Sequence, residues 1–244
     1  MSGIDPADAA RSIEGLRQSD LLSGELEASL RAVADSTSTL FGADGGGIML
    51  IDDQQALHYI GATDGRAAAL EAAQQETGEG PCVDSLIGDV VVQTADLVAD
   101  DRWPQLRTVM GELGVRAVVG VPLHVGLTPV GSLNIYRFRA WDWSDGDVEA
   151  LQLHARVIEE LLSAAMLAGR RHVIVDQLTT ALEHRVMIDR ATGVVMALLN
   201  VSAAEAFNAL RLEARSQRVR IADYARAVND RRQFPVGLTP ATPR

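Results

Sequence analysis

Between residues 20 and 41 the apolar positions Leu26, Leu30, Val33 and Leu40 fall at spacings of four, three and seven, the period of a helix with one buried face. Then the period changes. Asp44-Gly45-Gly46-Gly47 turns the chain into the apolar run Ile48-Met49-Leu50-Ile51, Asp52-Asp53 makes the next turn, and residues 57–62 read as a returning strand. The Ala-rich stretch 66–77 predicts a second helix, ended by Gly78-Glu79-Gly80-Pro81. Residues 90–93 read as a short buried strand and 101–113 as a helix closed by Gly114. Residues 115–125 and 130–137 read as two strands around Gly126-Leu127-Thr128-Pro129.

From Ser144 the pattern is helical to the end. Ser144 followed by Asp147 is a capping box, and so is Ser202 followed by Glu205. After the first box, Leu151, Ile158, Leu161, Leu162 and Ala165 lie near heptad spacing. They predict the seam of a parallel coiled coil; a core helix of the first domain is the alternative. Three further helices follow. One runs through 175–200 with Ile188, Ala191, Val195 and Leu198 on one stripe; one starts at Ser202 and buries Ala206, Phe207, Leu210 and Ala214; the third lies near 221–228. Residues 233–244 hold three prolines and read as a disordered tail. The expected fold is therefore α+β: an antiparallel sheet with flanking helices, a long connecting helix, and a C-terminal three-helix bundle. The expected boundaries are an arm at 1–19, a sheet domain at 20–168, the bundle at 169–232 and the tail.

Composition sharpens the split. The 244 residues contain no lysine; residues 1–169 carry 26 acids against 10 arginines, and residues 170–244 carry 7 acids against 12 arginines. Nineteen of the 21 glycines lie before residue 170, and no proline occurs between Pro129 and Pro235. A basic helical module beside an acidic one points to a nucleic-acid partner for the second. The opening residues lack an apolar core and no run reaches about 18 apolar residues, so a cytoplasmic protein without membrane contact is expected. Cys82 is the one cysteine, which excludes an intrachain disulfide framework and any multi-thiol redox cycle.

Several stretches resemble known families. Gly78-Glu79-Gly80-Pro81-Cys82, Val90-Val91-Val92, Asp101-Arg102-Trp103-Pro104, Val121-Pro122-Leu123 and Val130 to Tyr136 resemble the GAF domain, over roughly residues 20–168. Ala181-Leu182, Arg185, Ile188, Ala191-Thr192-Gly193, Ala204 to Phe207, Leu210-Arg211 and Ile221 to Ala225 resemble the ANTAR domain, over about residues 174–230. The resemblance implies a dimeric antiterminator that holds paired hairpins in a leader transcript. It also implies a small-molecule ligand or a signalling partner at the GAF domain. Two positions depart from the ANTAR pattern: Thr192 stands where a basic residue is usual, and Arg218 where Asn is frequent.

Residue chemistry agrees with RNA. Arg211, Arg215 and Arg218 fall at i, i+4 and i+7, one helix face; Arg220 follows at the turn, and Arg185 and Arg190 lie on the preceding helix. Arginine pairs with phosphate bidentately and stacks on unpaired bases. With Thr192, these residues form the expected RNA site. Cys82 and Trp103 are the candidate ligand contacts of the first domain, and for each a place in the packed core is the alternative reading. His58, His124, His154, His172 and His184 show no metal-ligand spacing, and no lysine follows Gly45-Gly46-Gly47 as a phosphate loop requires. No enzyme is expected. A DNA-binding factor using the helix at 202–217, and a protein-binding module with an acidic partner, remain as rivals.

Overall fold

The computed structural model describes residues 3–19, 21, 24–52, 57–62, 65–169 and 172–230. The expected disordered tail, and Asp53 of the Asp52-Asp53 turn, lie outside these residues. The chain begins with helices α1 (Pro6–Gln18) and α2 (Leu26–Phe41), then strands β1 (Gly45–Ile51) and β2 (Leu57–Ala62). Helices α3 (Gly65–Thr77) and α4 (Pro81–Gly88), strand β3 (Val92–Thr94) and helix α5 (Pro104–Leu113) follow. Strands β4 (Ala117–Val125) and β5 (Thr128–Arg137) lead into α6 (Asp145–Leu167). The last three helices are α7 (Val173–Leu199), α8 (Ala203–Gln217) and α9 (Ile221–Asn229). Both capping boxes form, at Ser144–Asp147 and Ser202–Glu205.

Two helices have no counterpart in the sequence reading. Residues 6–18 fall in the expected arm, but Asp5 caps them and Pro6 opens the helix. Residues 81–88 were hidden by the Gly-Pro stretch, which in fact starts a helix as well as ending one: Pro81 sits at its first turn, where a missing N–H is harmless. Gly80 has φ +135°, and a Cβ there would meet the side chain of Gln74 at 2.3 Å, so only glycine fits.

The sheet order is β2-β1-β5-β4-β3, with β1–β5, β5–β4 and β4–β3 antiparallel. Alternation gives it two unlike faces. Val119, Val121, Leu133, Ile135, Ile48 and Leu50 are buried on the side covered by α2 and α6. Val118, Gly120, Ser132, Asn134 and Tyr136 share the other side, under α3, α4 and α5. Helix α1 adds a third layer against α2 and α6, where Ser12 Oγ lies 3.0 Å from Ser36 Oγ and 2.9 Å from His154 Nε2.

The predicted coiled-coil seam is corrected here. Leu151, Ile158, Leu161, Leu162 and Ala165 are all buried within the single chain, because α6 packs its apolar stripe on β4, α2 and α1. The core-helix alternative holds, and none of the five side chains is left to face a second copy.

By its contacts the chain divides into two compact units: Met1–Leu50 with Leu57–Val175, and Ile51–Ala56 with Asp176–Arg244. In the second, Ile188, Ala191, Val195, Phe207, Leu210, Ile221, Ala225 and Val228 are buried, which matches the apolar stripes of the three helices except for Leu198, 48% exposed. Among the described residues, no single helix is long and apolar enough to cross a membrane.

Candidate nucleic-acid interface and sensor face

Turn chemistry positions the arginines of the helical unit. Helix α7 stops at Asn200, which takes a left-handed φ of 53°, and the Ser202 box restarts the chain as α8. Helix α8 stops at Arg218, also left-handed at φ 57°. Asn adopts this region easily and Arg does not. The frequent Asn at this position therefore has a backbone reason, and Arg218 holds the turn at some cost in stability. It also leaves the helix, so it does not extend the face of Arg211 and Arg215 as the i+7 spacing predicted.

Only part of the predicted RNA site is presented to solvent. Arg190, Arg215 and Arg218 are exposed, and among the described residues none has a carboxylate within 4.0 Å. Arg211 is half-buried and donates to Asn208 Oδ1 at 3.1 Å; burial, then the nearby charge of Arg215, lowers its pKa. Arg220 is exposed but pairs with Asp223 at 2.9 Å, and Arg226 pairs with the same carboxylate at 3.4 Å. These arginines hold Asp223 below the usual carboxylate range, chiefly through the Arg220 hydrogen bond.

Two members of the predicted set are core residues. Arg185 is 7% exposed beside Asp189 at 3.0 Å, because its position falls on the buried stripe with Ala181 and Ile188. Thr192 is 8% exposed and donates its hydroxyl to the Ile188 carbonyl at 2.9 Å. A side chain so placed offers nothing to a ligand at the surface. The sequence reading missed Arg226, which with Arg190 lines a cavity of about 300 Å³ between α7 and α9. Its i+3 spacing to Asp223 was visible, but only the folded bundle brings it near Arg190.

The face under α3, α4 and α5 holds the other candidates. Cys82 is fully buried at the start of α4; Gln74 donates to its Sγ at 2.7 Å and accepts from its backbone N–H at 2.9 Å. Trp103 is 2% exposed in an apolar cluster with Leu70, Leu106, Met110 and Val118, and its indole N–H donates to Asp84 at 2.8 Å. Burial pushes the Asp84 carboxyl above its ordinary value, opposed by that hydrogen bond. Arg102 lies over the Trp103 ring at 4.2 Å and pairs with Asp100, and its hydrogen bond holds that carboxyl down at about 2.

Polar groups that the sequence reading passed over are buried here too. Ser132 donates to Asn134 Oδ1 at 2.8 Å, and both are essentially inaccessible. A Cβ on Gly120 would lie 2.6 Å from that same oxygen, so glycine makes room for Asn134. Ser85 of α4 is buried, and among the described residues its hydroxyl has no hydrogen-bond partner. The alternation of Ser132, Leu133, Asn134 and Ile135 carried this signal, since polar residues two apart share one face. Among the described residues no cluster of His, Cys, Asp and Glu has the geometry to hold a metal ion.

At the end of β4, a third polar group ties the faces together. His124 Nδ1 lies 2.8 Å from Glu159 on α6, and Nε2 lies 2.7 Å from Asp89, which follows α4. Burial of the ring opposes its charging, but the hydrogen bonds to Glu159 and Asp89 outweigh that and raise the pKa.

The fold is an α+β unit followed in the chain by a helical unit, and comparison with known proteins assigns each to a domain family. A model of the GAF domain matches residues 25–162, and a model of the ANTAR domain matches residues 176–228. The GAF match spans more than half of the chain, so the chain belongs to the GAF domain family, and it carries an ANTAR domain behind that unit. Both are regulatory domains. Among solved structures the chain is similar to the GAF domain of a phosphoenolpyruvate-protein phosphotransferase from Coxiella burnetii. That match has 16% identity and TM-score 0.54, covering 67% of this chain and 97% of that one. The corresponding domain from Acinetobacter matches at 15% identity and TM-score 0.53, over 69% and 99%. A free methionine-R-sulfoxide reductase from Neisseria meningitidis, in complex with its substrate, matches at 18% identity and TM-score 0.51, over 69% and 98%. At such identities these likenesses concern the fold alone. Among curated proteins no match was found.

Proposed function

We propose that this chain is a cytoplasmic, non-catalytic regulator of transcription antitermination, whose ANTAR unit binds RNA hairpins in a leader transcript as a homodimer. Its GAF unit receives a small-molecule ligand or a signalling partner. The observation that carries the reading is the set Arg190, Arg215 and Arg218: three exposed cations with no carboxylate within 4.0 Å among the described residues, in a C-terminal stretch that carries more arginines than acids in a chain of net charge −11. A stretch with excess arginine in an otherwise acidic protein presents its exposed cations to a polyanion. The face under α3, α4 and α5 supports the sensing half, since Ser85, Ser132, Asn134 and Gln74 place hydrogen-bonding groups in the interior there. The lone Cys82, clamped by Gln74, gives no second thiol for the redox chemistry of a sulfoxide reductase.

The test is a salt titration of binding to a two-hairpin leader RNA and to duplex DNA of equal length. Wild type is expected to prefer RNA. Arg215→Glu is expected to weaken binding and lower the slope of log affinity against log salt by about 0.7–0.9 per lost phosphate contact. Equal affinity for the two nucleic acids would favour the DNA-binding rival. An Arg face that binds neither would favour an acidic protein partner.

A further inference from the structure

We infer that the cavity between α7 and α9 is a seat for one unpaired nucleobase, and not a phosphate site; this rests on the RNA-binding reading. Glu183, Val186, Met187 and Arg190 line it from α7, and Arg226 and Asp230 line it from α9 and its cap. Two guanidiniums face two carboxylates. A phosphate meets as much repulsion as attraction in such a lining, so the charges do not add up to an anion site. A base edge presents donors and acceptors side by side, and this lining offers both. Carboxylates accept from ring N–H and amino groups, and guanidiniums donate to ring nitrogens and carbonyls. Val186, 60% exposed, supplies apolar surface for the flat face of a ring. Asn229 also lines the cavity, and its amide N–H is anchored on the Met187 carbonyl at 2.8 Å, which ties α9 to α7. The volume, about 300 Å³, is at the small end of ligand sites.

Gly193 gives a second, independent observation. It is a helical glycine one turn beyond Arg190, exposed, and a Cβ there would meet nothing within 4 Å. Neither its backbone conformation nor any neighbour among the described residues requires glycine, and glycine inside a helix is destabilising. What it supplies is bare backbone beside Arg190, which lets another chain approach closely. We assign that approach to the sugar–phosphate strand that carries the seated base.

The test uses the full-length protein and the two-hairpin leader RNA, with each loop nucleotide made abasic in turn, bound to wild type and to Glu183→Gln. At one loop position, base removal is expected to weaken wild-type binding about tenfold or more. Glu183→Gln is expected to weaken binding of the intact RNA and to be nearly insensitive to base removal at that same position, with its salt slope unchanged. Gly193→Ala is expected to raise the melting temperature while weakening RNA binding several-fold. The seat is overturned if Glu183→Gln binds the intact RNA as tightly as wild type or tighter, or if the two losses multiply at every loop position. Wild-type affinity in Gly193→Ala overturns the close approach. If wild type binds no hairpin at all, the RNA reading falls and the seat with it.

Discussion

In the GAF unit Arg17 meets Glu160 at 3.0 Å, Arg102 meets Asp100 at 2.6 Å, Arg107 meets Asp101 at 2.6 Å and Arg116 meets Asp96, while Arg137 donates to the Phe41 and Gly42 carbonyls at the end of α2. In the ANTAR unit Arg190, Arg215 and Arg218 meet no carboxylate within 4.0 Å among the described residues. Pairing is exclusive to neither unit: Arg185, Arg220 and Arg226 are paired in the ANTAR unit, and in the GAF unit Arg139 and Arg156 are exposed with no carboxylate within 4.0 Å among the described residues. What differs is that the unpaired arginines of the ANTAR unit lie in a stretch with more arginines than acids. Exposed ion pairs contribute little to stability, so the pairing in the GAF unit matters less for folding than for the field it cancels.

The largest expected effect breaks the comparison at α6. Ile158→Asp with Leu162→Asp places two charges in the GAF core, because both side chains are fully buried. Each costs about 3–5 kcal/mol, enough to unfold the unit. Circular dichroism is expected to show a lost sheet domain. A folded monomer in sedimentation would instead restore the coiled-coil seam.

A second test separates the two histidines that tie elements within the GAF unit. Burial lowers the His154 pKa against the histidine value of 6.5, so the unfolded chain takes the proton first. Its contribution is complete above about 6.5 and is lost as pH falls through that value toward the lowered one. His124 has the opposite sign: its raised pKa adds stability below 6.5 that is lost as pH rises through the raised value. His154→Gln should therefore flatten the fall in melting temperature toward pH 5. His124→Gln should flatten the fall above neutrality. An unchanged pH profile in both variants would separate these rings from the stability of the unit.

A smaller effect is expected at the α8–α9 turn. Arg218→Gly relieves a left-handed arginine and is expected to stabilise the ANTAR unit by up to about 1 kcal/mol, while lowering the salt slope of RNA binding. A loss of stability on melting would show that Arg218 makes contacts worth more than its backbone strain.

Much of this was legible in the sequence because it is local. The two capping boxes, the helix stop at Gly114, and the β4–β5 hairpin depend on residues a few positions apart. The seam was misread because heptad spacing says that a face is apolar and not what covers it. Arg185 and Thr192 were misread for a related reason: a residue type suited to RNA can sit on a helix stripe that the bundle buries. Arg226 beside Arg190, and Gln74 clamping Cys82, join residues from different elements, and no periodicity reports such a meeting.

The contrast between the units is tested most directly by the salt dependence of RNA affinity in three proteins: wild type, Arg190→Ala with Arg215→Ala and Arg218→Ala, and Arg17→Ala with Arg107→Ala. The triple change in the ANTAR unit is expected to lower the slope of log affinity against log salt by about 1.4–1.8, for the two phosphate contacts of Arg215 and Arg218, and the double change in the GAF unit to leave it where it was. A triple variant with the wild-type slope, or a GAF-unit variant that loses as much per arginine, would contradict the account.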